Sequence, residues 1–320
     1  MNIERRSLLL AGLACAGPAA WAQEPWPSRA IRIITPTPVG VGSDAFARFY
    51  ADRLNKALNV PVVVENRPGA ASTLGTDAVA KAPPDGYTVL FSTSNPFTLA
   101  PYLLKKMPYN AQADLQPVTQ ALRGGSFIVA NNGLPARNLA ELVALAKAQP
   151  GKISFASYGP GSTSHIGFEL LQDAAGIELL HVPYKQGAIT DVIGGQVMLG
   201  FEPLVSALPH IRSGKLKVLA YTGDKRSAVL PDVPTLAELK PGLEVLTWLG
   251  FWVPAKTPDA VVQRLYKELT AITYSPDMLK FIADAGLEPA RATPAETAAI
   301  VRRDAEAMSR LVKAKNITLD

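Results

Sequence analysis

Short runs of β-branched residues alternate with helix-length segments along this chain of 320 residues. In the first third, strand signals at residues 31–34, 60–64 and 87–92 are separated by apolar-periodic stretches that begin at Ser43 and Thr73. The period of those stretches is that of a helix with one buried face. Strands joined through helices pair in parallel by right-handed crossovers, so the chain is predicted to form mainly parallel α/β sheets flanked by helices.

The alternation restarts after Gln116 and gives way to helices after Pro258. The later strand signals lie at residues 127–130, 153–156, 179–182, 197–201 and 216–220, and the helix signals at 139–148, 162–175, 204–212, 260–272, 277–285 and 295–313. Two α/β halves, each of about 100 residues with its own strands, predict two lobes. We place residues 23–120 plus 222–320 in the first lobe and 121–221 in the second, with crossings near 118–122 and 220–222.

Residues 1–22 contain the three parts of an export signal. Arg5 and Arg6 precede a short apolar run, and Ala20-Trp21-Ala22 supplies the small residues that signal peptidase requires. The apolar run is shorter than the about 20 residues that span a bilayer, so cleavage after Ala22 is predicted to release an exported protein. The paired arginines are compatible with the twin-arginine route as well as the Sec route.

Charge and composition argue against several classes of function. The formal net charge of +5 is spread without a dense basic run, which argues against nucleic acid as a partner. The only cysteine lies in the signal segment, which excludes disulfide frameworks and cysteine-rich metal sites. The three histidines match no metal-binding spacing, G-x-S-x-G is absent, and Asp44, Asp191 and Glu202 are scattered rather than paired. We therefore predict no catalytic residue, metal or cofactor.

Four connections from a strand to a helix are rich in glycine, serine, threonine and asparagine: residues 38–44, 66–73, 92–96 and 157–164. At the N-terminus of a helix, unpaired backbone N–H groups and the helix dipole favour an anion. Ligands of open α/β sheets also bind at this edge. The alternative is that each serine or threonine only caps its own helix. Four such loops, contributed by both lobes, favour a shared anion site in the cleft between them.

The first of these loops also fits a dinucleotide-binding pattern. Gly40, Gly42 and Ala45 match G-x-G-x-x-G/A, and Glu65 stands about 20 residues on, where an acid would bind the ribose. Two prolines lengthen the connection from the preceding strand, whereas the pattern requires a tight turn directly after it. An exported NAD(P)-dependent oxidoreductase is therefore kept as an alternative function.

Segments spread over the mature chain carry a family resemblance. They are residues 26–34, 62–70 (Val-Val-Val-Glu-Asn-Arg-Pro-Gly-Ala), 80–88, 161–165, 182–185, 191–197 and 253–258. In this order they resemble the periplasmic substrate-binding proteins of tripartite tricarboxylate transporters, the Bug family. The segment at residues 185–189 departs from the family by being about two residues short, and it is predicted to affect the distal end of the ligand.

The resemblance implies a type II-like periplasmic-binding-protein fold whose two lobes close on a small organic carboxylate. It also implies a periplasmic protein that delivers this ligand to membrane transporter subunits without catalysis, and we expect a monomer. The ligand-binding residues carried over by position are Val39, Gly40, Val41, Ala70, Ser94, Asn95, Tyr158, Ser162 and Thr163. A second alternative is a ligand sensor whose closed lobes dock on a signalling partner.

Overall fold

A computed structural model describes residues 26–40, 42–184, 187–315 and 317. The predicted signal peptide, its cleavage site after Ala22, Val41 of the first loop, and Lys185 and Gln186 of the shortened segment lie outside these residues. None of the helices within the described ranges has the length and apolar character needed to cross a bilayer.

Eleven strands and twelve α-helices are described within these ranges. The strands are β1 (Ile31–Thr35), β2 (Val62–Asn66), β3 (Thr88–Thr93), β4 (Leu115–Gly124), β5 (Phe127–Asn131), β6 (Ser154–Ser157), β7 (Leu180–Pro183), β8 (Leu199–Glu202), β9 (Leu216–Tyr221), β10 (Thr247–Pro254) and β11 (Glu288–Pro289). The helices are α1 (Gly42–Leu58), α2 (Thr73–Ala80), α3 (Asn95–Thr98), α4 (Ala100–Leu103), α5 (Leu139–Ala148), α6 (Thr163–Ala175), α7 (Ile189–Gly194), α8 (Leu204–Arg212), α9 (Leu236–Leu239), α10 (Asp259–Thr273), α11 (Pro276–Asp284) and α12 (Pro294–Ala314).

The strands form two separate sheets flanked by helices, which confirms the predicted two-lobed α/β fold. The first sheet has the order β11-β4-β10-β3-β1-β2, and the second has the order β7-β6-β8-β5-β9. Both sheets are mixed, however, rather than mainly parallel as predicted. β1 pairs in parallel with β2 and β3, but β10 lies antiparallel between β3 and β4. In the second sheet, β5 is antiparallel to both β8 and β9. Strands that carry the chain between the sheets are not joined by helical crossovers, so the rule for parallel pairing does not apply to them.

Each sheet has its own apolar core. In the first lobe, α1 buries residues that recur every three or four positions, among them Tyr50. Tyr50 packs edge-on against Phe251 with 4.8 Å between ring centroids, and Phe91 lies 4.6 Å from Phe251. All three side chains are fully buried. In the second lobe, Phe155 and Phe168 pack with 4.4 Å between their rings in a separate cluster.

The residues that join β4 to β5 are hydrogen-bonded to the end of β9 and the residue after it. The Gly125 N–H donates to Tyr221 Oη over 2.8 Å, and the Ser126 N–H donates to Thr222 Oγ1 over 2.8 Å. A Cβ at Gly125 would lie 2.5 Å from the nitrogen of Gly223, so a glycine is required where the segments touch. The segment that leads from the first sheet into the second is therefore in close contact with the end of β9.

The chain between β9 and β10 packs on the second lobe, although the sequence analysis assigned it to the first. Leu236, Leu243 and Val245 belong to the apolar cluster of the second sheet. Thr222 Oγ1 also donates to the carbonyl of Val245 over 2.8 Å, and β10 joins the first sheet only from Thr247 onward. We propose that the return crossing between the lobes lies at residues 245–247 rather than at the predicted 220–222.

Replacing Phe251 with alanine is expected to lower the free energy of unfolding by about 3–5 kcal/mol, because the change leaves a cavity among fully buried rings. Equilibrium denaturation followed by circular dichroism measures the loss. Leu180→Ala is the control, since Leu180 is 54% exposed on a strand at the edge of the second sheet. Its cost is expected to stay below about 1 kcal/mol. Equal losses in the two variants would contradict this account of the core.

Candidate functional site

The four predicted loops lie at the carboxyl ends of parallel strands. In the first sheet, β1, β2 and β3 run in the same direction, so the loops that follow them leave from one edge. In the second sheet, β6 is parallel to β7 and β8, and the fourth loop follows β6. A Cβ at Gly161 in that loop would collide with Leu103 of the first lobe, so the fourth loop directly contacts the opposite lobe.

The carboxylate of Asp44, which is 2% exposed, holds the first loop together. Asp44 Oδ2 accepts hydrogen bonds from the Gly40 N–H over 2.9 Å and from Arg48 Nε over 3.1 Å. Asp44 Oδ1 accepts one from Asn66 Nδ2 over 2.8 Å, which ties in the end of β2. Burial raises the pKa of the Asp44 carboxyl, but these hydrogen bonds outweigh burial and the pKa lies below its usual value. The Gly40 N–H is therefore engaged within the chain, whereas the Val39 side chain is 71% exposed.

The second loop has backbone conformations that side-chain-bearing residues seldom adopt. Gly69, Ala70 and Ser72 have φ angles of 127°, 46° and 70°. Thr73 Oγ1 donates to the Ala70 carbonyl over 2.7 Å, and Thr76 Oγ1 donates to the Ser72 carbonyl over 2.8 Å. Strained residues of this kind persist only where neighbouring groups fix them, and they cluster at ligand sites. Ala70 is exposed in this hydrogen-bonded turn.

The third loop and part of the fourth line one cavity. The cavity has a volume of about 350 Å³, and its wall includes Ser94, Asn95 and Thr163, together with Gln120, Trp248 and Asp304. It therefore brings together three of the predicted site residues from the two lobes. Val39, Gly40, Ala70, Tyr158 and Ser162 do not line it. The Ser94 N–H donates to the Trp248 carbonyl over 3.1 Å, so only the side chain of Ser94 is available to a ligand.

The fourth loop satisfies most of its own polar groups. Ser162 Oγ accepts from the His165 N–H over 3.3 Å and donates to the Gly159 carbonyl over 2.7 Å, so Ser162 caps α6. The Tyr158 N–H donates to Ser164 Oγ over 2.9 Å. The capping alternative raised by the sequence thus describes Ser162 well. The Tyr158 side chain is 45% exposed.

Two stacked histidines contact the fourth loop and the end of β6. The rings of His165 and His181 lie 4.1 Å apart and nearly parallel, and His165 Nδ1 accepts a hydrogen bond from the Gly161 N–H over 3.0 Å. His181 Nε2 lies 2.6 Å from Ser157 Oγ. Burial lowers the pKa of both imidazoles, and that of His181 to about 4, with the neighbouring His165 lowering it further. Both rings are therefore neutral at pH 7.

Glu202, at the end of β8, is a buried acid beside the fourth loop that the sequence alone did not connect with the candidate site. It is 3% exposed and accepts hydrogen bonds from Tyr158 Oη over 3.1 Å and from Ser206 Oγ over 3.0 Å. Burial raises the pKa of its carboxyl, and the two hydroxyl donors oppose this only in part. Its position directly after the predicted strand at residues 197–201 was the available signal.

Neither a metal nor a dinucleotide is favoured by the described residues. Within them, no group of three histidine, cysteine, aspartate or glutamate side chains is arranged to hold a metal ion. Glu65, the candidate ribose-binding acid, instead pairs with Arg67 at 2.6 Å and with Arg32 at 3.5 Å. The glycine loop that would hold a pyrophosphate already donates the Gly40 N–H to Asp44.

The fold and these loops are those of a ligand-binding protein with two lobes, and comparison with known proteins identifies its family. Residues 46–317 match the family described as the tripartite tricarboxylate transporter family receptor, and the chain belongs to this family. A UPF0065 protein of Bordetella bronchiseptica is 37% identical over 316 residues, which cover 98% of this chain and 93% of that protein. The resemblance found in the sequence is thereby confirmed.

Solved structures of relatives agree with this family. The periplasmic binding protein BugD is 34% identical, with a TM-score of 0.76 over 91% of this chain and 99% of BugD. The R. palustris protein Rpa4515, solved with adipate, is 28% identical, with a TM-score of 0.80 over 92% of this chain and 100% of that one. The first is a periplasmic binding protein, and the second was solved with a dicarboxylate.

Asp44→Asn is expected to lower the free energy of unfolding by about 1–3 kcal/mol. Arg48 loses its charged partner, and the hydrogen bonds from Gly40 and Asn66 to this side chain weaken. Thermal or chemical denaturation at pH 7 measures the change. Asp52→Asn is the control, since Asp52 is exposed and its pair with Lys56 lies on the surface. The control is expected to change stability by less than about 1 kcal/mol. A loss of stability in the control as large as that in Asp44→Asn would contradict the stabilising role of the Asp44 hydrogen bonds.

Stability is expected to fall as the pH drops from about 6.5, where an unfolded histidine titrates, toward about 4, where His181 titrates in the fold. In this window the unfolded chain binds a proton that the folded His181 does not, so acid favours unfolding. The stability difference between wild type and His181→Gln should therefore shrink over this window and stay constant above it. Denaturation curves recorded at each pH provide the measurement, and a difference that is flat throughout would contradict the neutral ring.

Proposed function

We propose that this chain is an exported receptor that captures a small organic carboxylate between its lobes and presents it to a tripartite tricarboxylate-type transporter. Membership of the receptor family carries this proposal. Adipate in the R. palustris relative supports the ligand class. The cavity shared by Ser94, Asn95 and Thr163 supports a site with walls from both lobes.

The contacts divide the candidate ligand-binding residues into two groups. Gly40 and Ser162 have their polar groups engaged within their own loops, so we assign them a positioning role. Ala70 and the side chains of Ser94, Asn95 and Thr163 are the candidates for direct polar contact, whereas the Tyr158 hydroxyl already donates to Glu202 and leaves the ring as its contact surface. The exposed Val39 would supply apolar surface beside them. Neutral donors of this kind bind a carboxylate without a permanent counter-charge, and closure would strengthen their hydrogen bonds by excluding water.

Binding without catalysis follows from the same proposal, because the family is one of receptors. A ligand favours the closed form only through contacts that it gains there, and the donors from the second lobe would provide these contacts. We further propose that residues 1–22 direct export by either the Sec or the twin-arginine route and that the mature chain acts as a monomer. Transporter subunits, rather than a sensor protein, are the proposed partner.

A mono- or dicarboxylate is expected to stabilise the mature protein, by about 2.7 kcal/mol at a concentration 100-fold above its dissociation constant. The protein is first unfolded and refolded to remove retained ligand. A panel of carboxylates, with adipate among them, is then screened by thermal denaturation, and hits are titrated calorimetrically. The neutral amide of each hit, which is the diamide for a dicarboxylate, is the ligand control and should not bind. A panel in which no carboxylate raises the melting temperature would contradict the proposal.

Ala70→Val tests where that ligand binds. A β-branched residue cannot adopt the φ of 46° at Ala70 without strain, so the second loop must rearrange and affinity should fall at least about tenfold. Ala283→Val, at an exposed position of α11, is the matched control and should bind like wild type. Undiminished affinity in Ala70→Val would show that the second loop does not take part in ligand binding.

A further inference from the structure

The end of β8 brings a buried acid to the edge of the sheet where the fourth loop begins. β8 runs parallel to β6, so Glu202 lies at the same edge as Ser157. The hydroxyl of Tyr158, in the fourth loop, donates to Glu202 Oε2 over 3.1 Å. Glu202 therefore contacts the fourth loop through Tyr158, one of the candidate ligand-binding residues, although it belongs to none of the four loops.

The hydrogen bonds of Glu202 are unevenly distributed between its two oxygens. Ser206 Oγ also donates to Oε2, over 3.0 Å, so within the described ranges both hydrogen bonds found on this carboxylate end on one atom. Both donors are neutral hydroxyls, and Glu202 takes part in none of the ion pairs found among the described residues. A buried carboxylate requires donors on both oxygens to offset its desolvation. Oε1 is thus the acceptor that a ligand could complete.

We propose that Glu202 selects the end of the ligand opposite the bound carboxylate, favouring a hydroxyl or amine there over a second ionised carboxylate. This inference rests on the proposed function. A donor at that end would complete the hydrogen bonding of Oε1. A second carboxylate would instead bring two like charges together where water is excluded and screening is weak. The preferred ligand class is therefore a carboxylate with a hydrogen-bond donor at its far end.

Two further features of the site agree with this selection. The ring of Tyr158 is 45% exposed next to Glu202 and offers apolar surface to the carbons that link the two ends of the ligand. Burial raises the pKa of the Glu202 carboxyl, and the hydrogen bonds from Ser206 and Tyr158 oppose this rise only in part. Asp44 differs in this respect, because Arg48 contacts its carboxylate.

The test compares matched ligands of equal chain length, a dicarboxylate and the acid whose far end is a hydroxyl, over a series of lengths that includes adipate. Calorimetric titration at pH 7 is expected to show wild type preferring the hydroxy acid by at least about tenfold at the length that fits. In Glu202→Gln, which removes the charge and keeps an acceptor for Tyr158 and Ser206, this preference should fall at least about tenfold. Glu178→Gln, at an exposed position of the same lobe, should leave it unchanged.

Tyr158→Phe keeps the charge of Glu202 and provides a second variant if Glu202→Gln does not fold. With one donor fewer on the carboxylate, the preference for the hydroxy acid should persist or increase. A wild-type preference for dicarboxylates, a ratio unchanged in Glu202→Gln, or a preference lost in Tyr158→Phe would overturn the selection while carboxylate binding itself stands. If no member of either series binds, the proposed function fails and this inference fails with it.

Discussion

The hydrogen bonds of the buried Asp44 carboxylate hold together the proposed ligand-binding edge of the first sheet. One side chain accepts hydrogen bonds from the loop after β1, from α1 and from the end of β2. The loop has two glycines and an exposed valine, so its own side chains supply little that could fix its shape. A single carboxylate in this position accepts a hydrogen bond from the Gly40 N–H and balances the charge of the Arg48 guanidinium. The edge is therefore built before any ligand arrives, at the cost of one N–H group that the sequence had assigned to the ligand.

At the corresponding edge of the second sheet, mostly neutral groups make the hydrogen bonds that hold the fourth loop. Serine hydroxyls cap α6 and bond the loop after β6, while two uncharged histidines stack beneath it. Glu202 is the exception, because it is an acid whose hydrogen bonds among the described residues come from two hydroxyls. Among the described residues the two edges thus differ, since the acid of the first lobe contacts an arginine and the acid of the second contacts two hydroxyls. A ligand with one carboxylate would be oriented by this difference, its charged end toward the first lobe.

Much of the fold could be predicted from local sequence, since its helices carry their own signals. The predicted helices 139–148 and 204–212 coincide with α5 and α8, and Asn138 caps α5 as its position before an amphipathic run indicates. The antiparallel insertion of β10 between β3 and β4 could not be predicted in this way. Its partners lie more than a hundred residues away along the chain, and periodicity reports which face of a strand is buried, not which strand it joins.

The candidate site, like the fold, could be predicted from the sequence only where the signal is local. The four loops were predicted at the correct ends of their strands, because glycine, serine and threonine before a helix are a local signal. How each residue is used depends on partners that composition does not reveal. The acid that engages Gly40 is only four residues away, but sequence alone does not distinguish it from any other acid in the first turn of a helix. Tyr158 and Glu202 are 44 residues apart and meet only because β6 and β8 are neighbours in the sheet.

The lobes are joined by more than the two crossing segments, and this bears on how the ligand edge can respond to closure. α12 begins beside β4 of the first sheet, yet Leu311 and Val312 near its end pack in a cluster with Ile166 of α6. Just beyond the helix, Lys315 Nζ lies 3.2 Å from Glu169 Oε2, and Glu169 Oε1 lies 3.8 Å from His165 Nε2. One carboxylate therefore contacts both the histidine that holds the fourth loop and the tail of a helix from the opposite lobe. A change in the angle between the lobes must either move the end of α12 together with α6 or break the contact between them. The fourth loop and this connection between the lobes therefore depend on the same residue, Glu169.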